Sequence, residues 1–180
     1  MVDIRPLDAT DRGFLEEMLF EAFFWDPACP RPTLGEFREH PEFTKLLADC
    51  GRPGDRGVVA EEQQSKTGAA WFRLWRPELH SYGFVNAETP ELGIAVASAH
   101  RSKGVRRTLL RSLIEIARGD GYPALSLSVS PSNYARVFYE SEGFRKVGES
   151  GTSWTLLLQL GRAPRETAAQ QTTAADEPLR

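Results

Sequence analysis

The sequence predicts a mixed α/β domain, and three observations lead to that fold class. The apolar run Glu91–Ala97 precedes a short basic turn and an amphipathic segment, which is the pattern of a buried strand feeding a helix. Residues Gly68–Trp75 alternate between two apolar faces, as a strand does. Apolar residues between Phe14 and Phe23 recur at helical spacing. Together with the turn signals, these patterns give the order β-α-α-β-β-β-α-β-α-β-β.

The N-terminal half is predicted to supply a strand, two helices and a hairpin. Thr10 or Asp11 can cap the first helix, and Pro27 cannot continue it. Thr33 can cap the second helix, and one or two further helical turns can follow it. The predicted elements are a strand at Asp3–Leu7, helices ending near Trp25 and over Leu34–His40, further turns at Phe43–Ala48, and strands at Val58–Glu61 and Gly68–Trp75.

The C-terminal half is predicted to alternate strands and helices before it ends in a hairpin. Gly119, Gly121 and Gly143 follow the two helical patterns and are typical helix stops. The predicted elements are strands at Glu91–Ala97, Ala124–Val129, Phe144–Val147 and Ser153–Leu160, and helices at Gly104–Arg118 and Asn133–Glu142. Residues 1–160 are therefore expected to form one domain. Residues 161–180 contain almost no large apolar side chains and are predicted to be a disordered tail.

Composition and charge exclude several classes of function. The net charge of -3 argues against nucleic acid as a partner, while the basic residues in Arg101–Arg111 suit one small anionic ligand. The chain contains neither a run of eighteen apolar residues nor an apolar signal segment, so no membrane association is expected. Cys29 and Cys50 have no metal-binding spacing. We therefore predict free thiols, no metal and a cytoplasmic location.

The turn after the apolar run Glu91–Ala97 has the properties of an anion site. Free backbone N–H groups at the start of a helix, together with the helix dipole, attract negative charge. Gly104 allows close approach of a ligand to the backbone, and Arg101 and Lys103 add full charges. The turn matches neither the P-loop nor the dinucleotide-binding pattern.

Three pieces of the sequence together resemble one family. The turn Arg101-Ser-Lys-Gly104-Val-Arg106 is similar to the R/Q-x-x-G-x-G/A turn of the GNAT N-acetyltransferases, and Leu92–Val96 and Asn133–Phe144 resemble that family's fourth strand and last helix. The resemblance spans residues 2–160 and implies central parallel strands that splay apart around acetyl-CoA. Arg106 departs from the pattern, because the family usually has Gly or Ala there. Its side chain could crowd the pyrophosphate, bind a phosphate or face solvent.

The resemblance also implies the residues that bind acetyl-CoA. The free edge of the fourth strand would pair with the pantetheine arm, backbone amides of the turn would bind the pyrophosphate, and an Asn amide would hold the thiol end. These residues are, in turn, Ile94, Ala95 and Val96; Arg101, Ser102, Lys103, Gly104, Val105 and Arg106; and Asn133. Relatives often form homodimers, so a homodimer is one expectation.

The resemblance gives Tyr139 the role of general acid that protonates the departing thiolate, and the alternative is a tyrosine of the core. Glu91, at the start of the central strand, is the first candidate for the general base. Glu88, Asp26 and His80 are alternatives, as is proton loss to water without a dedicated base.

Acceptor-binding residues are expected on the first two helices and the neighbouring strands. Aromatic walls favour an acceptor with an apolar or cationic body. The candidates are Phe23, Phe24, Trp25, Trp71, Arg73 and Tyr82. For the cluster Phe23–Trp25 the alternative is core packing, and for Arg73 it is stacking on its neighbours.

These expectations define one leading function and two alternatives. The leading hypothesis is an N-acetyltransferase that moves the acetyl group of acetyl-CoA directly to a primary amine of a small molecule or peptide, within a ternary complex. A non-catalytic acyl-CoA sensor on the same fold is the first alternative, encouraged by Arg106. An interaction module that uses the tail is the second.

Overall fold

A single seven-stranded sheet forms the centre of the protein. The computed structural model describes residues 2–101 and 104–161. The strands are β1 (Asp3–Pro6), β2 (Arg56–Glu62), β3 (Ser65–Arg73), β4 (Glu91–Val96), β5 (Ala124–Val129), β6 (Arg145–Ser150) and β7 (Ser153–Gln159). Their order across the sheet is β1-β2-β3-β4-β5-β7-β6. The β4–β5 pair is parallel and the other pairs are antiparallel, so the predicted mixed α/β class is confirmed.

Within the described residues, five α-helices cover the two faces of the sheet. They are α1 (Arg12–Phe23), α2 (Leu34–Glu39), α3 (Pro41–Leu47), α4 (Val105–Gly119) and α5 (Ala135–Ser141). Thr33 caps α2 through a reciprocal capping box with Glu36, as its position predicted. The turns expected after α2 form a separate helix, which begins with Pro41, a residue suited to a first helical turn.

Each face of the sheet carries its own core. Ala70 and Phe72 of β3 pack with α4 and α5 on one face, and Ala69 and Trp71 pack with α1, α2 and α3 on the other. This division follows from the alternation of side chains along a strand. The central strand β4 also contributes to both cores, through Ile94 on one face and Ala95 on the other. The predicted burial of this strand on both faces is therefore observed.

The parallel strands β4 and β5 separate soon after they begin. Their register contains one pair, Glu91 with Ser126, and the Ser126 amide donates to the Pro90 carbonyl at 3.0 Å. Toward Val96 and Val129 the strands diverge, so the edge of β4 that faces β5 has no strand partner there. The splay that the resemblance implied is present.

The N-terminal cap differs from the prediction. Asp8 caps a short 3-10 turn that precedes α1, in a reciprocal capping box with Asp11. Asp11 stands at the N-cap position of α1, but its side chain makes no capping hydrogen bond to that helix. Asp11 is fully buried and binds Arg5 at 2.6 and 2.8 Å and Lys66 at 2.6 Å. These cations hold the pKa of the Asp11 carboxyl far below its usual range. The residue expected to cap a helix is thus an anchor between β1 and β3.

Two other expectations concern irregular segments. The extended piece considered at Tyr82–Val85 is a loop. The predicted tail, apart from Gly161, lies outside the described residues, as do Ser102 and Lys103 of the predicted anion turn.

Candidate active site

A cavity of about 740 Å³ occupies the opening between β4 and β5. It extends from the first residues of β4, past the start of α5, to the turn before α4. The walls come from α1, α3, β3, the loop after β3 and the β6–β7 turn as well as from the two splayed strands. The two ends of this cavity differ chemically. We call one end, together with the start of α4 beside it, the phosphate end (Val96, Arg101 and Gly104–Arg107). We call the other the acceptor end (Phe23, Trp25, Leu46, Trp71 and Tyr82).

At the phosphate end, a second cavity of about 400 Å³ lies against the N-terminus of α4. Gly104 precedes α4 with φ +80°, a left-handed conformation that favours glycine. The N–H groups of Gly104, Val105 and Arg106 have no acceptor among the described residues. Free amides at a helix N-terminus form a site for an anion.

Arg106 and Arg101 place their charges at the same end in different ways. The Arg106 guanidinium lies 5.8 Å from the centre of the Phe138 ring, and the residue lines both cavities. Arg101 donates from Nη2 to Glu21 at 2.8 Å and from Nε to the Val96 carbonyl at 3.2 Å. The Arg101 side chain is thus engaged within the protein, while the half-buried Arg106 faces both cavities.

The expected residues of the strand edge and of α5 also line the large cavity. Ile94, Ala95 and Val96 lie along the part of β4 that has left β5. Asn133 accepts the Ala135 amide through Oδ1 at 2.8 Å, which starts α5 and leaves its side-chain N–H₂ free of partners among the described residues. The cavity thus has hydrogen-bonding groups along its length.

Tyr139 of α5 lines the cavity and is 7 % exposed. No described residue hydrogen-bonds its hydroxyl group, so the alternative of a core tyrosine bonded to backbone is not observed. Burial raises the pKa of Tyr139 to about 12, and the nearby charge of Arg106 opposes that rise. A phenol with this pKa carries its proton at neutral pH.

Glu91 lines the cavity where the two strands are still paired. It is 8 % exposed, and its Oε1 accepts the Gly83 amide at 2.8 Å, while Oε2 has no hydrogen-bond partner among the described residues. Burial raises the pKa of Glu91 to about 7, although the Gly83 amide stabilises the ionised form. A carboxyl group with this pKa can exchange protons near neutral pH.

The other candidate bases lie elsewhere. Asp26 accepts the Ala28 amide at 2.9 Å in an exposed turn. His80 stacks on Phe84 at 4.6 Å, and Glu88 is exposed in the same loop. These three candidate residues are absent from the cavity wall.

Four of the predicted aromatic residues form the acceptor end. The Trp71 indole lies directly against Gly93 of β4. The contact is so close that a Cβ on Gly93 would lie 2.5 Å from the indole. Phe24 is absent from the wall and packs on Phe20 at 5.0 Å, so the structure gives it the alternative role of core packing. The wall residues among the predicted set are Phe23, Trp25, Trp71 and Tyr82.

Arg73 lines the cavity, but its guanidinium is held by other parts of the protein. It donates to the carbonyls of Leu46 at 2.5 Å and Ala48 at 2.7 Å, and its Nε lies 3.2 Å from the Asp55 carboxylate. The side chain is 3 % exposed. Arg73 therefore holds the end of α3 to β3. Its charge, which was predicted to contact a substrate, is instead paired within the protein.

Several wall residues were not predicted. The turn between β6 and β7 reaches the cavity because the sheet order places β7 beside β5. Ser128 and Ser130 belong to the end of β5, and Tyr134, which is 89 % exposed, stands at the rim. Small polar residues in a turn give no signal by themselves, and the sheet order is needed to find them. The unpredicted turn residues are Ser150, Gly151, Thr152 and Ser153.

Neither a metal-binding group nor a membrane-spanning helix is found among the described residues. Within residues 2–101 and 104–161, no His, Cys, Asp and Glu side chains form a group of three that could hold a metal ion. No helix in that part of the chain is long and apolar enough to span a membrane.

The fold and site together define a mixed α/β protein that can hold an elongated, phosphorylated ligand between two splayed parallel strands. The family model described as "Acetyltransferase (GNAT) family" matches residues 15–144. The chain therefore belongs to the GNAT acetyltransferase family, and the predicted enzyme class, an N-acetyltransferase of that family, is confirmed.

Individual relatives are distant. The mouse protein N-acetyltransferase family 8 member 3 is 32% identical over 74 residues, which are 41% of this chain and 32% of the mouse protein, so the match spans about a third of that relative. PaiA N-acetyltransferase of Thermoplasma acidophilum, solved with coenzyme A, gives a TM-score of 0.69 at 20% identity and covers 88% of this chain and 99% of its own. YncA of Salmonella typhimurium, solved with acetyl-CoA, gives 0.62 at 24% identity, with 93% and 98% covered. These structures establish a common fold.

Proposed function

We propose that this protein binds acetyl-CoA between β4 and β5 and transfers its acetyl group directly to a primary amine bound at the acceptor end. The observation that carries the proposal is the cavity between β4 and β5, whose wall includes the buried Tyr139 and the buried Glu91 and which shares three wall residues with the second cavity at the N-terminus of α4. The family assignment supplies the class of reaction.

The residues at hand fit acetyl-CoA. The amides of Gly104, Val105 and Arg106 would bind the pyrophosphate, with the Arg106 charge adding attraction. The open edge of β4 over Ile94–Val96 would pair with the pantetheine arm, and Asn133 would donate from its side-chain amide. PaiA and YncA have been solved with coenzyme A and acetyl-CoA, respectively, and both share this fold.

Acetyl-CoA supplies an acetyl group on a thioester carbon that an amine can attack. Glu91, ionised above a pKa of about 7, accepts a proton from the bound ammonium group, directly or through a water, and so generates the free amine. When the amine has formed the new C–N bond, Tyr139, protonated because its pKa is about 12, would donate its phenolic proton to the sulfur as the C–S bond breaks. The proton that the acetylated nitrogen loses would restore the phenol.

The proposal is tested by two measurements on the purified chain. Calorimetry should detect acetyl-CoA binding, and a thiol assay should detect free CoA when a primary amine is added. Lack of binding at high micromolar acetyl-CoA contradicts the proposed cofactor site. Binding without CoA release for any amine in a broad panel instead favours the acyl-CoA sensor.

A further inference from the structure

The acceptor end contains rings and very little unpaired charge. Leu19, Leu46 and Trp75 extend the wall that Phe23, Trp25, Trp71 and Tyr82 begin. The rings are held in place from behind, since Phe23 packs on Phe43 at 4.9 Å and lies 6.1 Å from Tyr82. The Tyr82 hydroxyl donates to Glu42 at 3.0 Å, so that group is already bonded. The wall therefore offers a bound molecule mainly apolar surface.

Each described cation on the cavity wall either has partners or belongs to the phosphate end. Arg73 is bound by two carbonyls and Asp55. Arg101 is bound by Glu21 and the Val96 carbonyl. Arg106 lies over Phe138 at the phosphate end and lines both cavities, and the smaller of them contains none of the acceptor-end residues. A carboxylate bound at the acceptor end itself would meet no free cation among these described residues.

The anions on the described wall are equally restricted. Glu21 is shared by Arg101 and Arg31, so its charge is compensated twice. Glu91 is the buried carboxyl that the proposed mechanism uses as a base. An acceptor with several ammonium groups would therefore find one carboxylate here for its cations, and its other charges would be desolvated without partners.

We infer that the acceptor is a primary amine on an aromatic or aliphatic body that carries no carboxylate and no further cations. This inference rests on the proposed function and narrows its substrate. Burying an unpaired charge costs several kcal/mol in general, whereas apolar surface gains from contact with the rings. Amino acids and aminoglycosides are thus disfavoured relative to simple arylalkyl or alkyl amines.

A matched set of acceptors tests the inference. CoA release at saturating acetyl-CoA is compared for phenethylamine, phenylalaninamide, phenylalanine and kanamycin. We expect kcat/KM for phenethylamine and phenylalaninamide to exceed that for phenylalanine by about tenfold or more, because only phenylalanine carries the carboxylate. Phenylalaninamide separates the effect of charge from that of size. Equal or better use of phenylalanine or kanamycin overturns the inference.

A variant that adds a cation sharpens the test. Trp25→Arg should reduce the preference for phenethylamine over phenylalanine about tenfold, since the half-buried Trp25 lines the cavity. Val137→Arg, which introduces the same charge at an exposed position of α5 outside the cavity, should leave the preference unchanged. Tyr82→Arg repeats the measurement if the first variant does not fold. A preference that no cation changes contradicts the inference.

The two proposals fail in distinguishable ways. If calorimetry detects no binding of acetyl-CoA to the protein, the proposed cofactor site is contradicted, whichever acceptor is used. Acetyl-CoA binding with turnover of charged acceptors alone leaves the transferase proposal intact and removes the inferred acceptor class. Acetyl-CoA binding without turnover of any acceptor overturns both.

Discussion

The phosphate end of the cavity presents mainly backbone groups to a ligand, whereas the acceptor end presents mainly side chains. At the phosphate end, the backbone amides of Gly104, Val105 and Arg106 and the open edge of β4 are the groups proposed to bind the cofactor. At the acceptor end, side chains from α1, α3, β3 and the following loop are the groups proposed to bind the acceptor. Backbone groups exist in every sequence, so a local turn pattern is enough to create an anion site.

The acceptor end depends on residues that meet only in the folded chain. Phe23 and Tyr82 are distant in sequence, yet their rings lie 6.1 Å apart. Arg73 shows how charge can be removed from such a wall, because Asp55 and two carbonyls hold its guanidinium. Between the two ends, Tyr139 and Glu91 are both buried and both have raised pKa values. Under the proposed function, affinity for the cofactor would come from backbone groups and choice of acceptor from side chains, with proton transfer between the two ends.

The largest expected effect is that of Tyr139→Phe. Removing the phenolic proton donor should lower kcat by about 100- to 10,000-fold, the usual contribution of a general acid. Because the phosphate end is unchanged, the Kd of acetyl-CoA in calorimetry should stay within about twofold of that of the wild type.

Tyr122→Phe is the matched control, since it deletes the same atom from a half-buried ring that packs on Phe72 at 5.5 Å, away from the cavity. Its kcat should match the wild type. If Tyr139→Phe keeps full turnover, the phenol has no acid role and a mechanism in which water protonates the sulfur gains support.

Glu91→Gln should reduce kcat/KM by about 100-fold and abolish a limb of the pH profile. In the wild type, kcat/KM should rise with pH through about 7, because Glu91 acts as a base only when it is ionised and burial raises its pKa to about 7. The amide cannot titrate, so the variant should lack this limb. Glu115→Gln, at an exposed position of α4, should retain it. An unchanged limb in Glu91→Gln would assign it to another group.

The same carboxyl group predicts how stability changes with pH. The folded protein holds the Glu91 proton up to about pH 7, whereas the unfolded chain loses it near 4.5, so the folded state binds more protons between these values. The contribution of Glu91 to the free energy of unfolding should therefore be fully present below pH 4.5 and be lost as pH rises from 4.5 to 7, by up to about 3 kcal/mol. Denaturant melts of wild type and Glu91→Gln at pH 5 and 8 should show this loss in the wild type alone.

Gly83→Ala should disturb the acid–base region without touching either end. A Cβ at Gly83 would lie 2.6 Å from the Leu127 carbonyl carbon and 2.8 Å from Glu91 Oε1. We expect a loss of about 1–3 kcal/mol of stability from overpacking, and a tenfold or greater loss of kcat as the carboxyl is displaced. Gly13→Ala in α1, where nothing lies within 4 Å of the new atom, should instead be neutral or stabilising. Equal effects of the two variants would remove the positioning role of Gly83.

The sequence predicts the fold and the start of α4 well, because both depend on local patterns. β5 is observed at its predicted bounds, Ala124–Val129, and α4 begins directly after Gly104. The burial of Asp11 was not predicted from the sequence, because the two residues that form ion pairs with it, Arg5 and Lys66, lie on β1 and β3.

The acceptor end could be predicted only in part. The aromatic residues near the end of α1 signal an apolar wall, but sequence alone does not show that Phe24 turns to Phe20 while Phe23 reaches the cavity. The turn at Ser150–Ser153 contributes through the sheet order, which brings β7 beside β5. Long-range pairing thus decides which side chains face the acceptor, and that information is not local.

The smallest expected effect is at Arg106, where the sequence departs from its family. Because its charge faces both cavities, Arg106→Ala should raise the Kd of acetyl-CoA about three- to tenfold, with a larger effect at low salt than at high salt. Arg111→Ala removes an exposed charge of the same helix that pairs with Glu142 at 3.4 Å outside both cavities, and it should leave the Kd unchanged. Calorimetry at two salt concentrations measures both variants. Tighter binding by Arg106→Ala would show that the side chain crowds the pyrophosphate, so backbone amides alone would provide the affinity of the phosphate end.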